Sequence, residues 1–129
     1  MRPGPPRGDT ATRTVTVEEP AAGGNGDRPA TYTTVALTHD VERLCRRLLD
    51  PHLEPDEVAV GLRLELLHRS PVPTGAEITL TATVAAVQPT AVTCEVLARH
   101  RGAIVARASF EQRVLPADSF AAEVAARRP

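Results

Sequence analysis

The sequence predicts an α+β domain in which an antiparallel five-stranded sheet wraps around one central helix. Two apolar periodicities support this prediction: residues 34–49 repeat apolar side chains at helical spacing, whereas residues 58–114 contain four long alternating segments. Short turns separate these segments, which favours antiparallel pairing between neighbours. Such a sheet has one apolar side, and the single helix can cover it.

The first strand is expected at residues 12–19, which alternate and are rich in Thr and Val. Residues 1–11 are rich in Pro, Gly and Arg, so we expect a disordered tail there and assign the domain to residues 12–129. Residues 20–31 are rich in Gly and Pro and predict a loop, which is either a lid over a site or a plain connector.

The helix is expected to begin at one of three threonines that could cap it, namely Thr33, Thr34 and Thr38. It should end at Asp50, because Pro51 disfavours helix in the residue before it. Its apolar stripe consists of Leu37, Val41, Leu44 and Leu48.

The remaining strands are expected at residues 58–68, 76–87, 91–100 and 103–114, with a short helix over 116–127 that Asp118 could cap. Side chains alternate faces along a strand, so the first of these strands should point one row at the core. That row consists of Val58, Val60, Leu62, Leu64, Leu66 and His68. An otherwise apolar face therefore ends in an imidazole.

Composition restricts the functional classes. The 129 residues suit one domain, and with 42% hydrophobic but only 2% aromatic residues the core must consist mainly of aliphatic side chains. The net charge of −1 does not indicate a nucleic-acid or membrane partner. All fifteen basic residues are arginine, which we interpret as a coding bias.

Cys45 and Cys94 lie outside any CxxC motif, and we expect both to be buried thiols in a reducing compartment. The adjacent His39 and Asp40 lack further partners for a metal site, so we expect neither metal nor cofactor. We expect a cytoplasmic protein, because the sequence has no apolar run long enough for a membrane span and no secretory signal at its start.

A sheet wrapped around one central helix is the hotdog arrangement. A lone five-stranded sheet has two open edges and leaves apolar surface in water, and dimerisation can cover both. The sequence therefore favours at least a homodimer.

Three polar residues point to hydrolytic chemistry. Thr34 and Glu42 lie on one helical stripe with Thr38, and His68 lies at the rim of the core. A hydroxyl needs a neighbouring base to become a nucleophile, and a carboxylate can orient an imidazole that acts as this base. A hydroxyl, an imidazole and a carboxylate that meet would form a small hydrolase site.

Residues 32–114 resemble the fluoroacetyl-CoA thioesterase family of hotdog hydrolases. The shared pattern is a threonine entering the helix, a glutamate eight residues later, a H-L-E-P-D-E link, a glycine in the next strand, and a histidine before a Pro/Gly turn. In this chain these are Thr34, Glu42, residues 52–57, Gly61, His68 and residues 71–75.

The resemblance implies hydrolysis of an acyl-CoA or acyl-carrier thioester. Thr34 would be the nucleophile or would position water, His68 would act as general base and then acid, and Glu42 would orient His68 or help to activate the hydroxyl. Gly61 or the start of the helix could supply backbone N–H groups for the oxyanion.

Two departures from the family pattern bear on the substrate. The family has aromatic lid residues before the helix, whereas this chain has a Gly-rich loop and Tyr32, so we expect a short or polar acyl group other than fluoroacetyl. The family's functional arginine on the last strand falls at Gln112, and Arg113 follows it. Arg113 could bind substrate only if the register slips by one residue, because a slip reverses the face.

Two other functions also fit these residues. Hotdog dehydratases of biosynthetic pathways likewise use a histidine and a carboxylate. A non-catalytic acyl-CoA-binding module is consistent with the polar helix start and the missing aromatic lid.

Overall fold

The computed structural model describes residues 1–19 and 29–129, and its elements follow the predicted order. They are β1 (Thr10–Thr16), α1 (Thr34–Leu49), a 3-10 turn (Asp50–His52), β2 (Glu57–His68), β3 (Glu77–Gln88), β4 (Ala91–His100), β5 (Ala103–Pro116) and α2 (Ala117–Ala126). The strands form one antiparallel sheet in the order β1-β3-β4-β5-β2. The predicted architecture is confirmed, and β1 and β2 are the edge strands.

The central helix begins at the position that its capping bond dictates. The Thr33 side chain accepts a hydrogen bond of 3.1 Å from the Ala36 N–H, so Thr33 is the N-cap and Thr34 the first helical residue. This bond satisfies one of the N–H groups that a helix start leaves without a partner. The predicted stripe is confirmed, with two additions to the buried face: Leu37, Val41, Leu44, Cys45, Leu48 and Leu49.

The core is aliphatic, as the composition predicts. On β3 the helix-facing side chains are at most 1% exposed: Ile78, Leu80, Ala82 and Val84. Threonines of β3 and β1 pair across the other face, for example Thr14 and Thr79 with their hydroxyl oxygens 3.2 Å apart. Cys45 and Cys94 are free, buried thiols, as expected.

The row predicted for the strand that is now β2 is wrong in its first half. The pairing of β2 with β5 shifts between Gly61 and Arg63, which leaves Leu62 as an extra, bulged residue. Before the bulge the residues opposite buried β5 side chains are Ala59 and Gly61, not Val58 and Val60. After the bulge the helix-facing residues are Leu64, Leu66 and His68, as predicted.

The N-terminal residues lie along the sheet, although the sequence predicts a disordered tail there. The Gly8 N–H donates to the Val84 carbonyl and the Val84 N–H to the Asp9 carbonyl, both over 2.8 Å. The Met1 ammonium pairs with the Glu57 carboxylate and lowers the pKa of Glu57. The first strand accordingly begins and ends earlier than residues 12–19.

The expected cap of the short C-terminal helix is wrong. α2 has Pro116 as its N-cap without a side-chain capping bond, so Asp118 lies in the first turn and does not cap the helix. Most of the expected loop, residues 20–28, lies outside the described residues. Within the described ranges, no helix combines the length and apolarity needed to cross a bilayer.

The capping bond yields a stability test. Thr33→Ala removes the acceptor of the Ala36 N–H and should lower the free energy of unfolding by about 1 kcal/mol. Thr33→Ser keeps an acceptor, and Thr34→Ala changes the exposed neighbour that does not cap the helix, so each should cost under about 0.5 kcal/mol. Urea unfolding followed by circular dichroism measures all three, and an equal loss in the two alanine variants would contradict the assignment.

Candidate active site

An open cleft of about 410 Å³ lies where the start of α1 meets the end of β2. Thr34 and His68 both line it, so the structure brings together two of the three residues expected to be catalytic. The remaining lining residues are Thr31, Tyr32, Thr33, Arg69, Ser70 and Pro71. The cleft thus offers several hydroxyl groups beside one imidazole.

Backbone hydrogen bonds hold the two sides of this cleft together. The Tyr32 N–H donates to the Val72 carbonyl over 2.8 Å, and the Thr74 N–H donates to the Ala30 carbonyl over 3.3 Å. Val72 is fully buried, so the turn after β2 is also anchored in the core. The segment that leads into α1 is therefore fastened directly to the turn that follows His68.

The His68 imidazole is half-buried and lies on the helix-facing side of β2. Its Nε2 atom is buried and has no hydrogen-bond partner among the described residues. Its ring lies edge-on to the Tyr32 ring, with the centroids 6.1 Å apart and the planes at 74°. A buried nitrogen without a partner is costly unless a water or a ligand satisfies it, so packing alone does not account for this imidazole.

Tyr32 is a neighbour of the site that the sequence did not single out for a role in catalysis. It is 4% exposed, and its hydroxyl donates to the Asp40 carboxylate. Burial raises the pKa of Tyr32 well above its ordinary value, and the adjacent Asp40 raises it further. The hydroxyl therefore stays protonated and remains a donor. No local sequence pattern marks this contact, because Tyr32 precedes the helix that carries Asp40.

Glu42 does not line this cleft within one chain. It lies eight residues beyond Thr34, which is about 12 Å along a helix axis. Its carboxylate is 3.9 Å from the Arg46 guanidinium, which in turn donates to the Ala59 carbonyl over 3.2 Å. Glu42 therefore lies beside the beginning of β2, whereas Thr34 and His68 lie beside its end.

The two residues expected to bind substrate lie elsewhere. Arg113 is exposed and next to Gln112, which is 0% exposed and points to the helix side, so Arg113 points to the outer side. In the pairing of β2 with β5 the bulge adds a residue to β2 and none to β5, so Arg113 stays on the outer face of the sheet. A Cβ on Gly61 would come within 3.1 and 3.2 Å of the Phe110 ring, so packing alone accounts for this glycine.

The described residues contain no cluster of three or more His, Cys, Asp or Glu side chains that could hold a metal ion.

The buried side-chain amide of Gln112 has no hydrogen-bond partner among the described residues.

The fold is that of a hotdog domain, and Thr34 and His68 line one of its clefts. The model of the fluoroacetyl-CoA-specific thioesterase family matches residues 12–118, so the chain belongs to this family of acyl-CoA thioester hydrolases. The resemblance expected over residues 32–114 is thereby confirmed. No curated protein matches the sequence.

Solved structures show the same fold. The fluoroacetyl-CoA thioesterase FlK is 23% identical, with a TM-score of 0.85 over 98% of this chain and 99% of that chain. A hot-dog-like protein from Thermanaerovibrio acidaminovorans is 25% identical, with a TM-score of 0.87 over 96% of this chain and 93% of that one. A thioesterase superfamily member from Thermus thermophilus is 24% identical, with a TM-score of 0.84 over the same two fractions, 96% and 93%.

The contact between Gly61 and Phe110 predicts an unusual sign for a glycine substitution. Alanine in place of glycine within a strand normally stabilises by about 0.5–1 kcal/mol, but the crowding here should make Gly61→Ala destabilising by about 1–2 kcal/mol. In a Phe110→Leu background the same substitution should be neutral or stabilising. Urea unfolding of the four proteins measures this coupling, and a stabilising Gly61→Ala in the unmodified chain would contradict it.

Proposed function

We propose that this protein hydrolyses the thioester of a short or polar acyl group carried by CoA or by an acyl carrier, in the cleft between α1 and the end of β2. The observation that carries the proposal is that His68, whose buried Nε2 atom has no hydrogen-bond partner among the described residues, lines the same cleft as Thr34. The hydroxyl-lined cleft supports a short or polar acyl group. Residues 12–129 act in this proposal as one domain.

The reaction needs only groups of this chain and water. The neutral His68 imidazole takes the proton of the Thr34 hydroxyl, or of a water that Thr34 positions, and the oxygen attacks the thioester carbonyl. The first N–H groups of α1 can stabilise the resulting oxyanion. The intermediate expels the thiolate, which takes the proton from the imidazolium. With Thr34 as nucleophile, water then hydrolyses the acyl-threonine, so the products are the carboxylic acid and the thiol.

We propose that the protein works as a homodimer joined along β2. Within the described residues no strand pairs with the free edge of β2, and this strand exposes Leu62 by 55%, Leu64 by 37% and Leu67 by 53%. Unpaired strand edges with apolar side chains favour pairing with another chain. A second copy of β2, running antiparallel, would satisfy the free backbone groups and cover the leucines.

The register that we propose for this pairing keeps the bulge in β2. With the twofold axis at Leu64 and Leu62 again as the extra residue, Ala59 of one copy lies opposite His68 of the other. Both residues then stay on the helix side, as opposite residues in an antiparallel pair must. Arg46 contacts the Ala59 carbonyl and Glu42 lies beside Arg46, so the dimer would bring Glu42 of one copy towards His68 of the other.

Each active site is therefore composite in this proposal: Thr34 and His68 come from one copy and Glu42 from the second. Glu42 then orients the imidazole and favours its protonated form during the reaction. Arg113 has no role here because it lies on the outer face. We also place the protein in a reducing compartment such as the cytoplasm, which the two free buried thiols support.

The catalytic assignment predicts a specific loss of turnover. His68→Ala should lower kcat/KM by about 10²–10⁴-fold, since it removes the general base. Thr34→Ala should lower it as well, whereas Thr34→Ser should keep part of the activity because it keeps a hydroxyl. His52→Ala is the matched control, because His52 does not line the cleft and activity should be unchanged.

A panel of acyl-CoAs with a thiol reagent measures these rates. The proposed function is wrong if no acyl-CoA of the panel is hydrolysed. It is also wrong if His68→Ala hydrolyses the best substrate as fast as the unmodified protein does. Tight acyl-CoA binding without turnover would indicate a binding module, and water release with the thioester intact would indicate a dehydratase.

The composite site predicts complementation between inactive proteins. Glu42→Gln and His68→Ala homodimers should each be nearly inactive. Half of the dimers in an equal, fully exchanged mixture are mixed, and each mixed dimer has one intact site, so about a quarter of the unmodified activity should return.

A second pair provides the control for this experiment. Thr34→Ala mixed with His68→Ala should recover nothing, because both residues belong to the same half of the site. Sedimentation velocity confirms the dimers, and mass spectrometry of differently tagged copies confirms exchange. A dimer that exchanges subunits without recovery of activity in the first mixture would contradict the composite site.

A further inference from the structure

Tyr32 lines two cavities. One is the cleft that contains His68, and the other is a larger space of about 540 Å³ between β1 and α1. Asp40 lines the larger space and does not line the cleft. The Tyr32 hydroxyl, which donates to Asp40, is therefore directed away from the reacting groups and cannot serve as an acid in the cleft.

Tyr32 is held at three points. Its backbone N–H donates to the Val72 carbonyl, its hydroxyl donates to Asp40 on α1, and its ring packs at a steep angle against the His68 ring. A hydrogen bond to a carboxylate is stronger than one between neutral groups, and at 4% exposure little water competes for it. The ring is thus immobilised relative to both the helix and the turn after β2.

The imidazole has no comparable anchor at its buried end. Its Nε2 atom has no hydrogen-bond partner in the described part of the chain. The imidazole ring does contact the ring of Tyr32. Edge-to-face aromatic contacts constrain the relative angle of two rings. The Tyr32 ring therefore restricts the directions in which the buried nitrogen can point.

We propose that Tyr32 and Asp40 are a positioning pair, in which the carboxylate fixes the tyrosine ring and the ring holds the His68 imidazole in its catalytic orientation. The proposal rests on the proposed role of His68 as general base. Neither residue touches the reacting atoms. Their effect should appear in kcat and in the mobility of the imidazole, with little effect on substrate binding.

The test removes the tether and keeps the ring. Tyr32→Phe and Asp40→Ala should each lower kcat about threefold to tenfold with KM changed by less than about twofold. The double variant leaves no carboxylate or hydroxyl unpaired, and its loss should equal that of the single variants because the two residues act as one unit. Asp40→Asn retains an acceptor for the hydroxyl and should stay closer to the unmodified protein than Asp40→Ala.

A second readout does not depend on turnover. The ring signals of His68, assigned with His68→Ala and observed by carbon-13 correlated NMR, should shift or broaden in Tyr32→Phe and in the double variant. Asp118→Ala is the matched control, since it removes an exposed aspartate at the start of α2. It should leave both readouts unchanged.

The two readouts separate the two hypotheses. If the unmodified protein hydrolyses no thioester but the His68 signals move, the proposed function fails and the positioning pair stands. Unchanged His68 signals together with unchanged kcat in Tyr32→Phe would overturn the positioning pair. An Asp40→Asn variant as impaired as Asp40→Ala would do the same, because the acceptor is restored there.

Discussion

The β-bulge at Leu62 is the constraint on which the arrangement of the site depends. β2 pairs its first half with β5 so that Ala59 and Gly61 face the helix. Without an extra residue, strict alternation from Gly61 would turn His68 to the outer face. The bulge inserts that residue, and His68 consequently faces the helix start with Thr34 beside it. The absence of a side chain on Gly61, just before the bulge, also makes room for the Phe110 ring.

Two buried polar groups that stability alone would not favour lie on β2 and on its neighbour β5. The His68 Nε2 atom and the Gln112 amide are buried without hydrogen-bond partners among the residues that the structure describes, and each such atom costs about 1–3 kcal/mol if nothing satisfies it. Gln112 lies opposite Gly61, and His68 is the last residue of β2. The local rules of folding are therefore broken near the cleft and the open edge, where function is expected to reside. The structure of a single chain does not explain why Gln112 is polar.

Two hydrogen bonds fix where α1 begins. The Thr33 cap and the backbone bond from Tyr32 to Val72 fasten the start of α1 to the turn after β2. Residues far apart in sequence thus form one rigid corner, and the cleft lies in that corner. Glu42 lies in the middle of the helix, beside Arg46 and near the start of β2. Glu42 does not line the cleft within one chain, and only the proposed homodimer would bring it towards His68.

Local pattern was sufficient for much of the architecture. The spacing of Leu37, Val41, Leu44 and Leu48 predicted the helix and its buried face, and the alternation in β3 predicted Ile78 and Leu80 as core residues. These features depend on period, which neighbouring residues carry. The joint spacing of Thr34, Glu42 and His68 was likewise enough to indicate the family.

Long-range pairing settled the remaining features. The pairing of β2 with β5 decides which side Val58 and Val60 face and places Arg113 on the outer face. The position of α1 over the sheet decides how far Glu42 lies from the cleft. A bulge adds one residue without any distinctive sequence mark, and it reverses every later side chain. Contacts such as that of Tyr32 with Asp40 and His68 arise only when the turn after β2 and the segment before α1 meet in space.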